Sequence, residues 1–288
     1  MTELSKKVNT AIDALRAFEP SDGYFLCYSG GKDSDVIRIL AGLAGVKHEI
    51  HHSLTTVDAP ETIAYIKTIP GVIIDKARYN DGHHKTMWNL IVHKGLPPTR
   101  LMRYCCEHLK EWNGKGRLKI TGVRAAESRG RAENGGDIKI LGKPRTTQKY
   151  MEREDIQHSI TKQGGIILNF DNDGARRAVE HCFRTTCTMI NPILTWTSDD
   201  VWEFLNYYGC TANPMYKCGE KRVGCIGCPL AGKKAQLEEF KRYPAYYENY
   251  IRAFDKMLKT REEKGKTFTK MTWKTGEDVM NWWVGDLL

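Results

Sequence analysis

A chain of 288 residues with 41% hydrophobic and 27% charged content can bury one large core or two modest ones. That composition excludes a disordered polymer, and no apolar run approaches the ~20 residues of a membrane span. A formal net charge of +9 favours polyanionic partners, nucleotides or nucleic acid alike. Nine cysteines follow an N-terminus, Met1 to Lys7, that lacks an apolar signal region. This combination places the protein in the cytoplasm, where thiols stay reduced and clustered ones serve metal or redox chemistry rather than a disulfide framework.

Val8, Ala11, Ile12, Leu15 and Phe18 recur at helical spacing, so a helix precedes a first strand at Tyr24–Tyr28. A helix through Val36, Ile37, Leu40 and Leu43 follows. Further strands are expected at His48–Leu54, Val72–Asp75 and Lys119–Arg124. Helices run through Ile63–Ile69 and Trp88–Ile91, the second stopped by Gly95 and Pro97-Pro98. Strand–helix alternation of this kind builds a parallel sheet covered on both faces. Residues 130–190, rich in Gly, Arg, Asp and Asn, read as an insertion of short strands and mobile loop. Order returns at Asn191-Pro192-Ile193-Leu194. Ser198 then caps a helix from Asp199 to Gly209, a cysteine-bearing loop spans 210–229, and a charged helix covers 233–262. A tail with Trp273, Trp282 and Trp283, read as packing residues, closes the chain. The expected organisation is an α/β nucleotide domain over 1–200 and a helical C-terminal region over 201–288.

Between the first strand and its helix stands Ser29-Gly30-Gly31-Lys32-Asp33-Ser34. Strand, glycine turn and helix aim backbone N–H groups and a helix N-terminus at an anion. Gly30 and Gly31 tolerate positive φ, Ser29 and Ser34 add hydroxyls, and Lys32 adds charge. The spacing is not that of Walker A, which needs four residues between its first Gly and the Gly-Lys pair.

Two thiols of Gly224-Cys225-Ile226-Gly227-Cys228-Pro229 can bite one metal centre. The tandem Cys105-Cys106 would complete a Cys₄ set, with Cys218 in reserve. Adjacent cysteines suit a cubane, which binds them through different irons, better than one tetrahedral zinc. Cys27, Cys182, Cys187 and Cys210 lack paired spacing and read as ordinary thiols. His51, His52, His83 and His84 lack a third ligand and are assigned to surface or loop.

Taken together these residues resemble the phosphoadenosine phosphosulfate (PAPS) reductase family, within the adenine-nucleotide alpha-hydrolase fold. Ser29–Ser34 is similar to the pyrophosphate loop of ATP pyrophosphatases, and Asp58-Ala59-Pro60-Glu61-Thr62 looks like the segment after the second strand. Gly122-Val123-Arg124 with Glu127, Ser128, Arg129 and Arg131 looks like the family's anion-binding loop. Asn191-Pro192-Ile193 to Trp202 and Asn213-Pro214-Met215-Tyr216 resemble two further signatures. The cysteine pairs match the cluster ligands of the iron–sulfur adenylylsulfate reductases.

The resemblance implies ATP with magnesium on Ser29–Ser34, Asp33 helping to hold the metal and Asp58 adding to the nucleotide site. Asp58 has a second reading, as a cap for the helix after Pro60. Arg124, Arg129 and Arg131, with Glu127 and Ser128, would bind phosphate or sulfate, unless the last two arginines are solvated loop charges. Cys105, Cys106, Cys225 and Cys228 would hold a 4Fe–4S cluster. The implied activity is ATP-pyrophosphatase-coupled sulfur transfer, as in the sulfurtransferases of DNA phosphorothioation. A sulfur-donor protein and a nucleic-acid acceptor are the implied partners. Reductases of the family attack with a C-terminal cysteine, and no cysteine follows Cys228 here. A sulfonucleotide reductase borrowing a thiol from elsewhere, and a nucleotide-binding iron–sulfur subunit without catalysis, remain the alternatives.

Overall fold

Tyr24-Phe25-Leu26-Cys27 is an almost continuous apolar run, which only a strand buried on both faces can use, and it forms the centre of a sheet. The computed structural model of the chain describes residues 2–141, 144–170, 172–184, 186–266 and 272–285. The last three residues of the tail and four positions of the 130–190 segment lie outside them. In chain order the elements are α1 (Glu3–Ala17), β1 (Tyr24–Cys27), α2 (Lys32–Ala44), β2 (His48–Ser53), α3 (Pro60–Thr68), β3 (Val72–Asp75), α4 (Met87–Lys94) and α5 (Tyr104–Leu109). They continue as β4 (Lys119–Ile120), α6 (Arg129–Asn134), β5 (Ile138–Leu141), α7 (Pro144–Arg153), β6 (Ser159–Ile160), β7 (Ile166–Leu168), α8 (Asp173–Cys182) and β8 (Cys187–Ile190). Four helices follow: α9 (Ser198–Tyr207), α10 (Lys233–Arg242), α11 (Pro244–Glu263) and α12 (Gly276–Val284).

The chain divides into two compact units interleaved along the sequence: 1–52 with 64–73 and 114–223, and 53–63 with 74–113 and 224–288. The first carries the eight-stranded sheet, ordered β3-β2-β1-β4-β8-β5-β7-β6. Strands β2, β1, β4 and β8 run parallel, with Leu26 opposite both Ile50 and Ile120, and Ile120 opposite Ile190. Beyond β8 the strands alternate antiparallel. The chain leaves β1 toward β2 and later returns to β4 on the other side. That reversal opens a crevice beyond the carboxyl ends of β1 and β4.

The second unit is mainly helical. Its core joins Leu90 and Ile91 of α4, Tyr104 and Leu109 of α5, Tyr250, Phe254 and Met257 of α11, and Met280 and Trp283 of α12. The Trp283 indole donates to the Pro98 carbonyl at 2.6 Å, which satisfies its one polar atom. Among the described residues no helix is long and apolar enough to cross a membrane.

Four local expectations need correction. The 130–190 segment holds two ten-residue helices, α7 and α8, and β8, which lies inside the sheet between β4 and β5. Ala175, Ala178, Val179 and Cys182 give α8 a buried face too short in large apolar residues to stand out from its charges. The cap of α9 is Thr197, whose hydroxyl accepts the Asp200 N–H at 3.1 Å while the Asp200 carboxylate accepts the Thr197 N–H. The charged helix is two helices, broken where Pro244 starts α11. His51 and His52 belong to β2: His51 stacks on Phe25 with centroids 3.9 Å apart, and His52 is buried with Nδ1 on the Tyr28 carbonyl.

Candidate active site

In the first unit, Gly30 turns the chain at φ +75° and Gly31 starts α2 without any side-chain cap. The first turn of this helix is held by others. The Lys32 N–H donates to the Tyr216 hydroxyl at 2.9 Å, and the Asn213 amide donates to the Gly30 carbonyl at 2.9 Å. A methyl group on Gly31 would stand 3.2 Å from the Tyr216 oxygen, a tight contact that would push the hydroxyl back by a few tenths of an ångström. Ser34 Oγ donates back to the Gly31 carbonyl at 2.7 Å. The loop is thus fixed from both ends, at the head of a thirteen-residue helix, where backbone N–H groups and the helix dipole favour an anion.

Arg124 follows β4 and is 2% exposed. Its Nε donates to Asp33 at 2.6 Å and its Nη1 to the Trp196 carbonyl at 3.3 Å. Gly122 permits this, since a Cβ there would lie 3.0 Å from the Asp33 backbone. Asp33 also meets Lys32 Nζ at 3.4 Å, so its carboxylate is shared between two cations. Glu127 accepts the Arg124 N–H and pairs with Arg131. Ser128 caps α6 by accepting from the Arg131 N–H, while Arg129 is exposed on that helix. The structure therefore gathers Ser29–Ser34 and Arg124, and puts Arg129 and Arg131 on a short exposed helix.

Beneath the loop, fully buried Asp35 accepts from the Tyr28 hydroxyl at 2.7 Å and the Tyr65 hydroxyl at 2.9 Å. Burial pushes its carboxyl up, against the pull of both hydroxyls and of Arg38. The Tyr65 oxygen also lies 3.0 Å from the Thr211 carbonyl, two residues before Asn213, so its one proton is shared between the two acceptors. Sequence reasoning missed the parts played by Tyr216, Asn213 and this tyrosine–aspartate network. The Asn213-Pro214-Met215-Tyr216 signature was the available signal for the first two.

The second unit brings together Cys105, Cys106, Cys225 and Cys228. The Cys105 thiol beside it lowers the Cys106 thiol, with Arg103 and Lys110 adding positive charge. The same contact raises Cys105. Cys225 donates to Thr55 Oγ1 at 3.4 Å, and burial raises its thiol against the pull of Lys110. The Lys110 ammonium is raised first by Cys225 and also by Asp58, although the residue as a whole is exposed. Asp58 accepts the Thr55 N–H at 2.8 Å and pairs by backbone with Cys225. It thus lies in this unit beside the thiols.

The buried Tyr250 hydroxyl feels Cys225, Cys105 and Cys228 together and donates to the Ile226 carbonyl. The Cys225–Cys228 knuckle is fixed by Gly227, whose N–H donates to Glu239 at 2.6 Å and whose carbonyl accepts from Gln236. Among the described residues no three His, Cys, Asp or Glu side chains stand close enough to hold a single metal ion. Three of the thiols, Cys105, Cys225 and Cys228, act on the Tyr250 hydroxyl and the fourth, Cys106, adjoins Cys105, a donor set of the kind a cubane takes one thiolate to each iron. Cys218 is exposed and belongs to the first unit.

The phosphoadenosine phosphosulfate reductase domain matches residues 23–231. An uncharacterized protein of Methanocaldococcus jannaschii is 25% identical over 236 residues, 78% of this chain and 46% of its own length. A 37.8 kDa protein of Escherichia phage 186 is 43% identical over 53 residues, 18% of this chain and 16% of its own. The chain thus spans less than half the length of these relatives. Among solved structures, Candida glabrata FMN adenylyltransferase with FMN and an ATP analogue is 13% identical at TM-score 0.44, over 78% of this chain and 62% of that one. The phosphate complex of Candida auris PAPS reductase is 13% identical at TM-score 0.43, over 78% and 96%.

Proposed function

This chain belongs to the phosphoadenosine phosphosulfate reductase domain family, and from that premise we propose that it is an ATP-pyrophosphatase-type sulfurtransferase. The observation that carries the reading is the loop Ser29–Ser34 at the head of α2, locked by Tyr216 and Asn213 and backed by Lys32 and Arg124. ATP would lay its phosphates on these N–H groups, with Lys32 neutralising charge. A magnesium ion would compete with Lys32 and Arg124 for Asp33, so nucleotide entry would redistribute those ion pairs. An acceptor oxygen would attack the α-phosphorus, forming an O–P bond as the bond to pyrophosphate breaks and its electron pair leaves with pyrophosphate. Sulfur at the sulfide level would then bond to the acceptor atom as AMP departs with the oxygen. Positioning and charge neutralisation supply most of the rate.

A donor protein would deliver the sulfur, and Cys105, Cys106, Cys225 and Cys228 would hold a 4Fe–4S cluster. Arg103 and Lys110 would balance the negative charge of its thiolates. Asp58, adjoining Lys110 and Cys225, would fix that lysine. The reaction would proceed in the cytoplasm. Anaerobic incubation with ATP and sulfide tests the reading: pyrophosphate release that disappears in Lys32→Ala supports it. Sulfite formed from PAPS or adenylylsulfate, without pyrophosphate from ATP, would replace it by sulfonucleotide reduction.

A further inference from the structure

On the second unit, α4 and α11 leave a cleft of about 660 Å³ between them, a volume in the range of ligand-binding clefts. It belongs to neither the phosphate loop nor the cysteines. On α11, Asn249, Arg252, Ala253, Lys256 and Thr260 line it, and Lys264 stands at its end. Their spacing of three, four, seven and eleven residues puts them on one helical face. From Arg252 to Lys264 the helix advances about 18 Å.

The charges are uneven. Arg252 is exposed and has one partner, Glu248 at 3.3 Å. Among the described residues no carboxylate pairs with Lys256 or Lys264, both exposed. The acid of the cleft, Asp81, is engaged by His83, whose N–H and ring nitrogen both reach Oδ1. Opposite the cations, α4 and the turn before it present Trp88 and Tyr79, each half-buried, with a ring available along part of its surface. Trp88 is held edge-on by Tyr250 at 5.0 Å, and Lys85 lies over the Tyr79 ring at 5.3 Å. Between cations and rings the wall is mixed, with amide and hydroxyl groups from Asn89, Asn249 and Thr260 beside apolar Val92 and Ala253.

We propose that this cleft binds a single-stranded nucleic acid, its phosphates along Arg252, Lys256 and Lys264 and its bases against Trp88 and Tyr79. A row of cations beside fixed aromatic faces is the arrangement that tracks a strand, and every base offers a face to stack. Amide side chains on the wall suit base edges. About 18 Å accommodates about five nucleotides at the ~3.4 Å rise of a stacked strand. The net charge of +9 agrees in sign.

The test is fluorescence anisotropy of the full chain with a labelled single strand of about twelve nucleotides, as KCl rises from about 50 to about 200 mM. Binding should weaken steeply with salt. Arg252→Glu with Lys256→Glu changes only exposed side chains and should weaken binding at least about tenfold, lowering the salt slope by about 1.4. Trp88→Phe, which keeps a packed ring, should weaken it by a smaller factor. Lys32→Ala should leave it unchanged, which separates this cleft from the nucleotide site. Equal binding by the charge-reversed variant, or loss of binding in Lys32→Ala, would overturn the proposal. So would displacement of the strand by a poly-glutamate peptide as readily as by unlabelled oligonucleotide, which would identify a protein-docking surface.

Discussion

Replacing Tyr216 by Phe removes one oxygen and leaves the ring, which meets Trp202 edge-on at 5.2 Å, in place. That oxygen accepts the Lys32 N–H at 2.9 Å, at the first residue of a helix that no side chain caps. Burial raises the phenol to about 12, so at neutral pH it is a neutral acceptor. A neutral hydrogen bond contributes about 0.5–1.5 kcal/mol net, and an amide left unpaired in a buried site costs about 1–3 kcal/mol. Tyr216 is half-buried, so water replaces part of the loss and about 1–1.5 kcal/mol is expected. That is a five- to tenfold effect, roughly, on an equilibrium constant. Tyr216→Phe should therefore lower stability in urea denaturation by about 1 kcal/mol and weaken ATP binding in calorimetry by about five- to tenfold. Unchanged or tighter ATP binding would refute the reasoning. It would mean that the hydroxyl withholds the Lys32 N–H from the phosphates instead of shaping the loop.

Three further outcomes follow from the same contacts. Arg124→Lys should weaken ATP binding by about 1.5–3 kcal/mol in calorimetry, because an ammonium cannot hold both Asp33 and the Trp196 carbonyl as the planar fork does. Burial raises the Asp35 carboxyl, so its contribution to stability is full below the unfolded-state value and lost as pH rises through the folded one. Urea denaturation of wild type and Asp35→Asn should then show the wild type's relative stability falling steadily above pH ~4. Gly227→Ala puts a Cβ 2.5 Å from Phe240 at a residue with φ +72°, and should destabilise the second unit by about 2–4 kcal/mol in thermal denaturation.

What was legible in the sequence was local. The Ser29–Ser34 loop sits between a buried run and an amphipathic helix, all within twenty-one residues from Tyr24 to Ala44, so periodicity places it between strand and helix. Arg124 was placed because it follows a parallel strand, and parallel strands end on one edge. Tyr216 and Asn213 reach Gly30 and Lys32 from more than 180 residues away, and no pattern along the chain reports such a contact. Strand β8, Cys-Thr-Met-Ile, is four residues long and was lost in a polar stretch, although the sheet closes around it. The gathering of the four cysteines rests on tertiary packing of α5, α10 and α11, which spacing could suggest only through chemistry.

A crystal structure of the protein with a non-hydrolysable ATP analogue tests the central claim most directly. The phosphate oxygens should lie within hydrogen-bonding distance of the Ser29–Ser34 backbone, with Lys32 on the phosphates. Phosphates bound anywhere else, with that loop still closed on Tyr216 and Asp33, would contradict it.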